Sequence, residues 1–504
     1  MASLKKSHAS SGSSHSKAAK FKRYLPLYLM FLPGAIYLLI NNYIPMAGII
    51  VAFKKYNARL GIWKSPFCGL ANFEFLFASS DAWTITRNTL LYNLAFIVLN
   101  TVVGIIFAIF ICDTFNKKLK KIYQSAILFP YLMSAVILGY IVYAFLSQST
   151  GIVNNSILSA LGKDAVNWYA EPKYWPFILI FVNTWKGVGY GCLIYISTIN
   201  GIDPSLYEAA SLDGATKWQQ IKNITLPFLK PTVITLTLMS VGRIFYSDFG
   251  LFYQVPRDSG LLYSATNVID TYVYRGLMKS GNVGMSAAAG FYQSIIGFII
   301  VLTANGIVRN VLRRSRMKEK PFSKYQILAN AVMIIWTLAI ILPFILLFMS
   351  SITDENTLVA NGYSFFPKKF SLASYSYIIK SGGQILKAYG VSIGVTVVGT
   401  LLNVLLSALM AYPLSVKNLP GRNVMMFFVF FTMLFNGGIV PSYIMWTGTF
   451  HIKDTIFAQL LPNFLLSAWN VMMIRTYFTT SIPDGLYEAA EIDGASQFTI
   501  FWKI

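Results

Sequence analysis

The sharpest chemical pattern in the chain is a nine-residue stretch that occurs twice. Tyr207-Glu208-Ala209-Ala210-Ser211-Leu212-Asp213-Gly214-Ala215 returns 280 residues later as Tyr487-Glu488-Ala489-Ala490-Glu491-Ile492-Asp493-Gly494-Ala495, with seven of nine positions identical. Each copy sets one acid, Glu208 or Glu488, in a run of strong helix formers. Each then breaks at Asp213-Gly214 or Asp493-Gly494, because glycine accepts a positive φ without a steric penalty. The expected unit is a helix, a glycine break and a second helix. Leu226-Pro227 is expected to end the first copy, since proline cannot continue a helix. A single copy is explained by an ordinary helical hairpin whose glutamate stabilises a helix N-terminus through the macrodipole. Two near-identical copies in an otherwise divergent chain point to a docking surface for one shared partner.

Other chemistry is sparse. No G-x-x-x-x-G-K-[ST] stretch exists, so no phosphate-cradling loop and no ATP hydrolysis by this chain. Cys68, Cys112 and Cys192 lack metal-ligand spacing and read as packing residues. His8, His15 and His451 are scattered, so no metal is expected. With no triad and no carboxylate pair, an enzyme is not expected. Lys186, Arg243 and Asp248 fall within apolar runs, where ionisable groups are costly and face a partner or a wet cavity. Arg243 and Asp248 lie five residues apart, about 140° around a helix, and are not expected to pair.

The elements that must carry these residues are membrane spans. Apolar residues make up 55% of the chain and charged ones 12%, against about 25% charged in soluble proteins. Mean hydropathy is +0.57. The net charge of +22 sits in short segments beside apolar runs, the positive-inside pattern, and does not indicate nucleic acid. Runs of about 20 apolar residues place spans near 25–51, 88–112, 123–146, 174–198, 228–252 and 287–311, then 327–350, 388–415, 424–447 and 456–474. The fold expected is therefore an all-α polytopic integral membrane protein of six spans plus four. Residues 1–24 read as a disordered basic tail and 25–312 as a first unit with its transmembrane core at 88–311. A basic linker follows at 313–326, then a second unit at 327–504. With the N-terminus inside, Lys117, Lys118, Lys120, Lys121 and the run from Arg309 to Lys324 all fall on the cytoplasmic side, and both repeated stretches with them.

The repeated stretch resembles the EAA loop of permease subunits of ABC importers, whose pattern is E-A-A, three residues, G, then I and L-P. The first copy matches through Ile224, Leu226 and Pro227; the second stops at Ile504. The first half also resembles lipoprotein-B-type polysaccharide and oligosaccharide permeases, at Tyr43-Ile44-Pro45-Met46-Ala47-Gly48, Gly69-Leu70-Ala71-Asn72-Phe73-Glu74, Asp248 to Pro256 and Asp270 to Arg275. The second half resembles the companion permease, at Ala411-Tyr412-Pro413-Leu414 and Phe431 to Gly438. That family has six spans per subunit, so the second half reads as truncated within its EAA loop.

The resemblance implies a type I importer fold in the plasma membrane and two adjacent subunits fused in one chain. It implies that Glu208, Ala209, Ala210, Asp213, Gly214, Glu488, Ala489, Ala490, Asp493 and Gly494 dock in grooves of a cytoplasmic ATPase dimer. ATP would be bound by that partner, so this chain needs no cofactor. An extracellular solute-binding protein would deliver a carbohydrate. Lys186, Arg243 and Asp248 are candidates for the substrate pathway, with Lys186 and Arg243 facing an anionic sugar; the alternative is pairing with other helices or snorkelling to an interface. Rival readings are an ATP-independent sugar transporter, or a membrane scaffold that docks ATPases without transporting.

Overall fold

The computed structural model describes residues 15–311 and 325–503, apart from 75–77, 79, 115, 381, 463 and 481. The first 14 residues of the expected tail and positions 313–324 of the expected linker lie outside the described residues. Among the described residues there are no strands, only the isolated bridges Lys54–Phe67 and Thr353–Phe370. Among the described residues seven helices are long and apolar enough to cross a membrane, or nine if each of two bent pairs is one span.

The spans most faithful to their hydropathy are α1 (Tyr24–Phe53), α2 (Asp81–Cys112), α5 (Pro172–Asn200), α10 (Val283–Val311), α11 (Tyr325–Ser351) and α12 (Ile385–Ser415). The helix leading into α1 begins at His15, inside the segment expected to be a disordered tail.

Four expected spans are corrected. The third is two helices, α3 (Lys117–Leu132) and α4 (Ala135–Leu146), bent by 99°. Met133 is extended there, and Ser134 restarts the chain by accepting the Ile137 amide on its Oγ. The fifth runs earlier, as α7 (Lys217–Val241), and ends at Gly242. Pro227 does not stop it. A π-turn over Ile221–Thr225 precedes the proline, so the missing N–H falls where the bonding pattern is already shifted. The segment 424–447 is two helices, α13 (Arg422–Leu434) and α14 (Ile439–Thr449), bent by 103°. Gly438 takes φ +81° while its amide donates to Asn436 Oδ1, and a Cβ at Gly437 would stand 2.3 Å from the Pro45 carbonyl oxygen. The segment 456–474 is not one span: a short helix at Phe457–Leu460 is separated from α15 (Ala468–Thr480). Side chains from elsewhere hold that gap open. Asn403 donates to the Phe464 carbonyl at 2.6 Å, and Tyr37 accepts the Leu465 amide at 3.1 Å. Such satisfaction is what permits irregular backbone among spans.

Packing divides the chain differently from its sequence halves. One compact unit is residues 50–385 and the other is 1–49 with 386–504. The first unit's core joins Phe107 and Ile111 of α2, Trp175, Leu179, Val188 and Cys192 of α5, and Met333 and Ile340 of α11. Phe107 meets Trp336 edge-on at 5.0 Å between centroids, and Phe129 meets Phe344 at 4.3 Å. The other unit's cores join Leu27, Met30, Tyr37 and Leu38 of α1 to Met410, Tyr412 and Leu414 of α12, with Val471 of α15 and Ile500 beyond it. Each unit therefore takes the opening span of the other sequence half. Hydropathy cannot show this, because it is set by which side chains interlock.

Candidate functional site

The first repeated stretch folds as α6 (Pro204–Leu212), which links α5 to α7. Asp203 caps it by accepting the Ser205 amide at 2.9 Å, and this bond holds the Asp203 carboxyl below the usual carboxylate range. Gly214 ends it at φ +73°, and the Ala215 amide donates to the Ala210 carbonyl at 2.8 Å, closing a Schellman turn. Thr216 and Gln219 form a capping box that starts α7. The second stretch folds the same way. Its helix is α16 (Asp484–Ile492), Gly494 sits at φ +76°, and Ala495 donates to Ala490 at 3.0 Å. A last helix, α17 (Gln497–Lys503), then follows.

Both copies present the same outer face. Glu208, Ala209, Asp213 and Gly214 are exposed, as are Glu488, Ala489, Asp493 and Gly494, while Ala210 and Ala490 are half-buried. Four residues on from each glutamate, on the same helix face, stands a bare apolar side chain: Leu212 is 90% exposed and Ile492 85%. The residue itself differs between the copies. What the two share, a large aliphatic with nothing over it, shows only in the structure. Glu208 and Glu488 are each the fifth residue of their helix, beyond the first turn where the macrodipole acts, so helix-end stabilisation does not account for them.

The inner faces are anchored by different means. In the first copy Tyr207 bonds Thr225 Oγ1 at 3.0 Å, Gln220 donates to Ser211 at 2.8 Å, and Lys217 pairs with Asp113 at the end of α2 at 3.4 Å. In the second, Gln497 takes the Lys217 position in the repeat. It accepts from Tyr412 at 2.9 Å and donates to Glu491 at 3.0 Å, so the Ser211/Glu491 difference follows from the anchoring partner.

Lys186, Arg243 and Asp248 are placed differently from the sequence reading. Lys186 is within α5, but Arg243 and Asp248 lie after the end of α7. Asp248 caps α8 (Phe249–Gln254) by accepting the Leu251 amide at 3.1 Å and pairs with Lys186 at 3.6 Å. Lys186 thus has an acidic partner on the segment that follows α7. Arg243 is exposed beside Asp270 of α9 (Ile269–Met278). The Asp270 carboxyl, which carries no motif signal for chemistry in the sequence, is pushed up to about 6 by burial. The Ser247 amide at 2.8 Å, Gln293 at 3.0 Å and the Arg243 charge act in the opposite direction. Among the described residues no group of three or more His, Cys, Asp or Glu side chains converges on a metal-sized site.

A family model described as binding-protein-dependent transport system inner membrane component matches residues 100–317 and 389–504. The chain belongs to this family. It carries two permease units, and each match begins after the opening span of its half. Among relatives, Protein LplB of Bacillus subtilis is 30% identical over 291 residues, 58% of this chain and 91% of that protein. The polygalacturonan/rhamnogalacturonan transport system permease protein YteP of the same organism is 33% identical over 288 residues, covering 56% and 87%. A second B. subtilis permease of that name, YtcP, is 37% identical over 180 residues, and the chain spans 62% of its length. Among solved structures, a bacterial ABC transporter involved in the import of the acidic polysaccharide alginate superposes with TM-score 0.53 at 34% identity, covering 58% of this permease and 98% of that chain. This is a multi-pass permease component of a membrane transport system.

Proposed function

We propose that the chain is the permease of an ATP-driven importer of oligosaccharides or polysaccharides, coupled through α6 and α16 to a pair of cytoplasmic ATPases. The observation that carries the reading is the duplicated face of one exposed glutamate and one bare aliphatic, each set on a helix closed by a left-handed glycine. An exposed Leu or Ile beside an acid is what a groove with an apolar floor and a basic rim would take. The α6 loop shares the end of its unit with Lys117, Lys118, Lys120 and Lys121, in keeping with a cytoplasmic side and an N-terminus inside. An external binding protein would deliver the sugar, since the family is binding-protein-dependent. The sugar class follows the relatives, named for polygalacturonan/rhamnogalacturonan and arabinooligosaccharides, and the alginate importer. Lys186, Asp248 and Arg243 would then border the pathway, with the charge of Lys186 already met by Asp248. An ATP-independent transporter leaves the two matched faces without a role. The test is co-purification of the ATPase with the full chain, unsubstituted and as Glu208→Lys and Glu488→Lys. Loss of ATPase with either variant supports coupling; full retention by both refutes it.

A further inference from the structure

Beyond α8 the chain makes a tight turn with two non-glycine residues in the left-handed region, Arg257 at φ +55° and Asp258 at φ +49°. Such a pair is strained and persists where the surroundings over-determine it. Here they do. The Arg257 guanidinium stacks on the Tyr143 ring at 4.2 Å. Asp258 Oδ1 accepts from Arg275 at 2.6 Å and from Tyr263 at 3.1 Å, and its Oδ2 takes Lys279. Burial would raise the Asp258 carboxyl, but the Lys279 and Arg275 bonds outweigh it and hold it low; Lys279 is raised in turn. Three basic side chains, Arg257, Arg275 and Lys279, thus gather around the single acid Asp258.

This turn walls a cleft of about 410 Å³ lined by Tyr140, Tyr253, Gln254, Arg257, Asp258 and Lys279, among others. The volume is in the range of small-molecule sites, about 300–1,000 Å³. Arg257 and Lys279 are exposed at it, and the Tyr253 ring is fixed by stacking on Phe249 at 5.0 Å. Between the α6 loop and this turn runs α7, 25 residues or about 37 Å at 1.5 Å per residue. The Ser259 hydroxyl of the turn donates to the Tyr169 carbonyl at 3.1 Å, just before α5 begins, and the α6 loop follows the other end of α5, so the cleft and the loop lie at opposite ends of that span.

We propose that this cleft is an entry subsite for the carboxylate-bearing residues of an acidic saccharide, with Arg257 and Lys279 meeting the carboxylate and Tyr140 and Tyr253 the sugar ring. It rests on the import reading above and narrows its substrate. Asp258 does not repel the ligand, because both its oxygens are occupied; its work is to hold Lys279 and Arg275 in place. Tyrosine offers an apolar ring face and a polar tip to a pyranose, and exposed cations supply the discrimination by charge.

The test uses the full chain co-purified with its ATPase in lipid nanodiscs, with trigalacturonate and its fully methyl-esterified, uncharged counterpart as probes. The unsubstituted chain should bind the acid more tightly than the ester. Arg257→Gln and Lys279→Gln should each weaken acid binding about tenfold, or about 1.4 kcal/mol, and change ester binding less than about twofold. Arg257→Lys and Lys279→Arg should keep the preference, and raised salt should shrink it. Equal binding of acid and ester, equal losses for both in the Gln variants, or loss of preference in the charge-keeping variants would overturn the subsite. If the ATPase stays bound in each case, the import reading survives that failure; if it never co-purifies, that reading fails independently of the cleft.

Discussion

Leu212→Ala separates docking from folding. Leu212 is 90% exposed, so almost none of its side chain contributes to the fold. Fully burying a leucine side chain is worth about 1.5–3 kcal/mol. A partner groove that covers Leu212 gains nearly all of that, and alanine keeps a minority. The expected loss is about 2 kcal/mol, or roughly thirtyfold in ATPase affinity. Because alanine is also a better helix former, the thermal midpoint of the isolated chain should stay level or rise slightly. The assay is a titration of purified ATPase against nanodisc-bound chain, with thermal unfolding of the same samples. Ile492→Ala, at the matching 85% exposed position, should behave alike. Unchanged affinity would refute the docking face. A clear drop in thermal midpoint would show that Leu212 packs within its own chain, which the geometry forbids.

Gly214→Val should distort the loop alone. Gly214 is at φ +73° with nothing within 4 Å of a built Cβ, so the cost is the left-handed conformation itself, about 1–2 kcal/mol; ATPase binding should weaken while global stability holds, and Gly214→Asn should do less harm. Gly189→Ala should be severe, because its Cβ would stand 2.0 Å from the Ile127 carbonyl oxygen, and such overpacking costs about 1–3 kcal/mol or more. Gly187→Ala, where the nearest atom is at 3.5 Å, is its control in the same thermal assay. Asp270→Asn should flatten the pH dependence of stability. The folded carboxyl is raised from 3.8 to about 6, so the native state holds the extra proton, and its contribution is complete below 3.8 and lost as pH rises through 6. At 1.36 kcal/mol per pH unit the span is on the order of 3 kcal/mol, read as thermal midpoint against pH for the two chains.

Some of this protein is written locally. Hydropathy fixes α1, α2, α5 and α12 to within several residues at each end, because insertion of a span depends on its own side chains. The repeated stretch fixes helix, glycine break and helix in both copies, because Glu and Ala propensity and the freedom of Gly214 and Gly494 act within one turn. The Asp248 cap is of the same kind, a short acid before a helical run, though its place inside an apolar stretch hid it.

What the tertiary structure decided depends on residues distant in the chain. Tyr37 and Asn403 supply the bonds that let residues around Phe464 leave the helix, so no window around 456–474 could show the break. Pro45 lies so close to Gly437 that no Cβ fits there, at the bend between α13 and α14. Lys186 and Asp248 meet across 62 residues, and the exchange of α1 and α11 between the two packing units follows from side chains that interlock only once folded. The bareness of Leu212 and Ile492 belongs to the same class, since exposure is a property of everything that fails to cover a residue. The sequence set most of the long apolar segments and where the repeated stretches turn. Packing set where the spans bend, which half each opening span serves, and which side chains are left free to meet a partner.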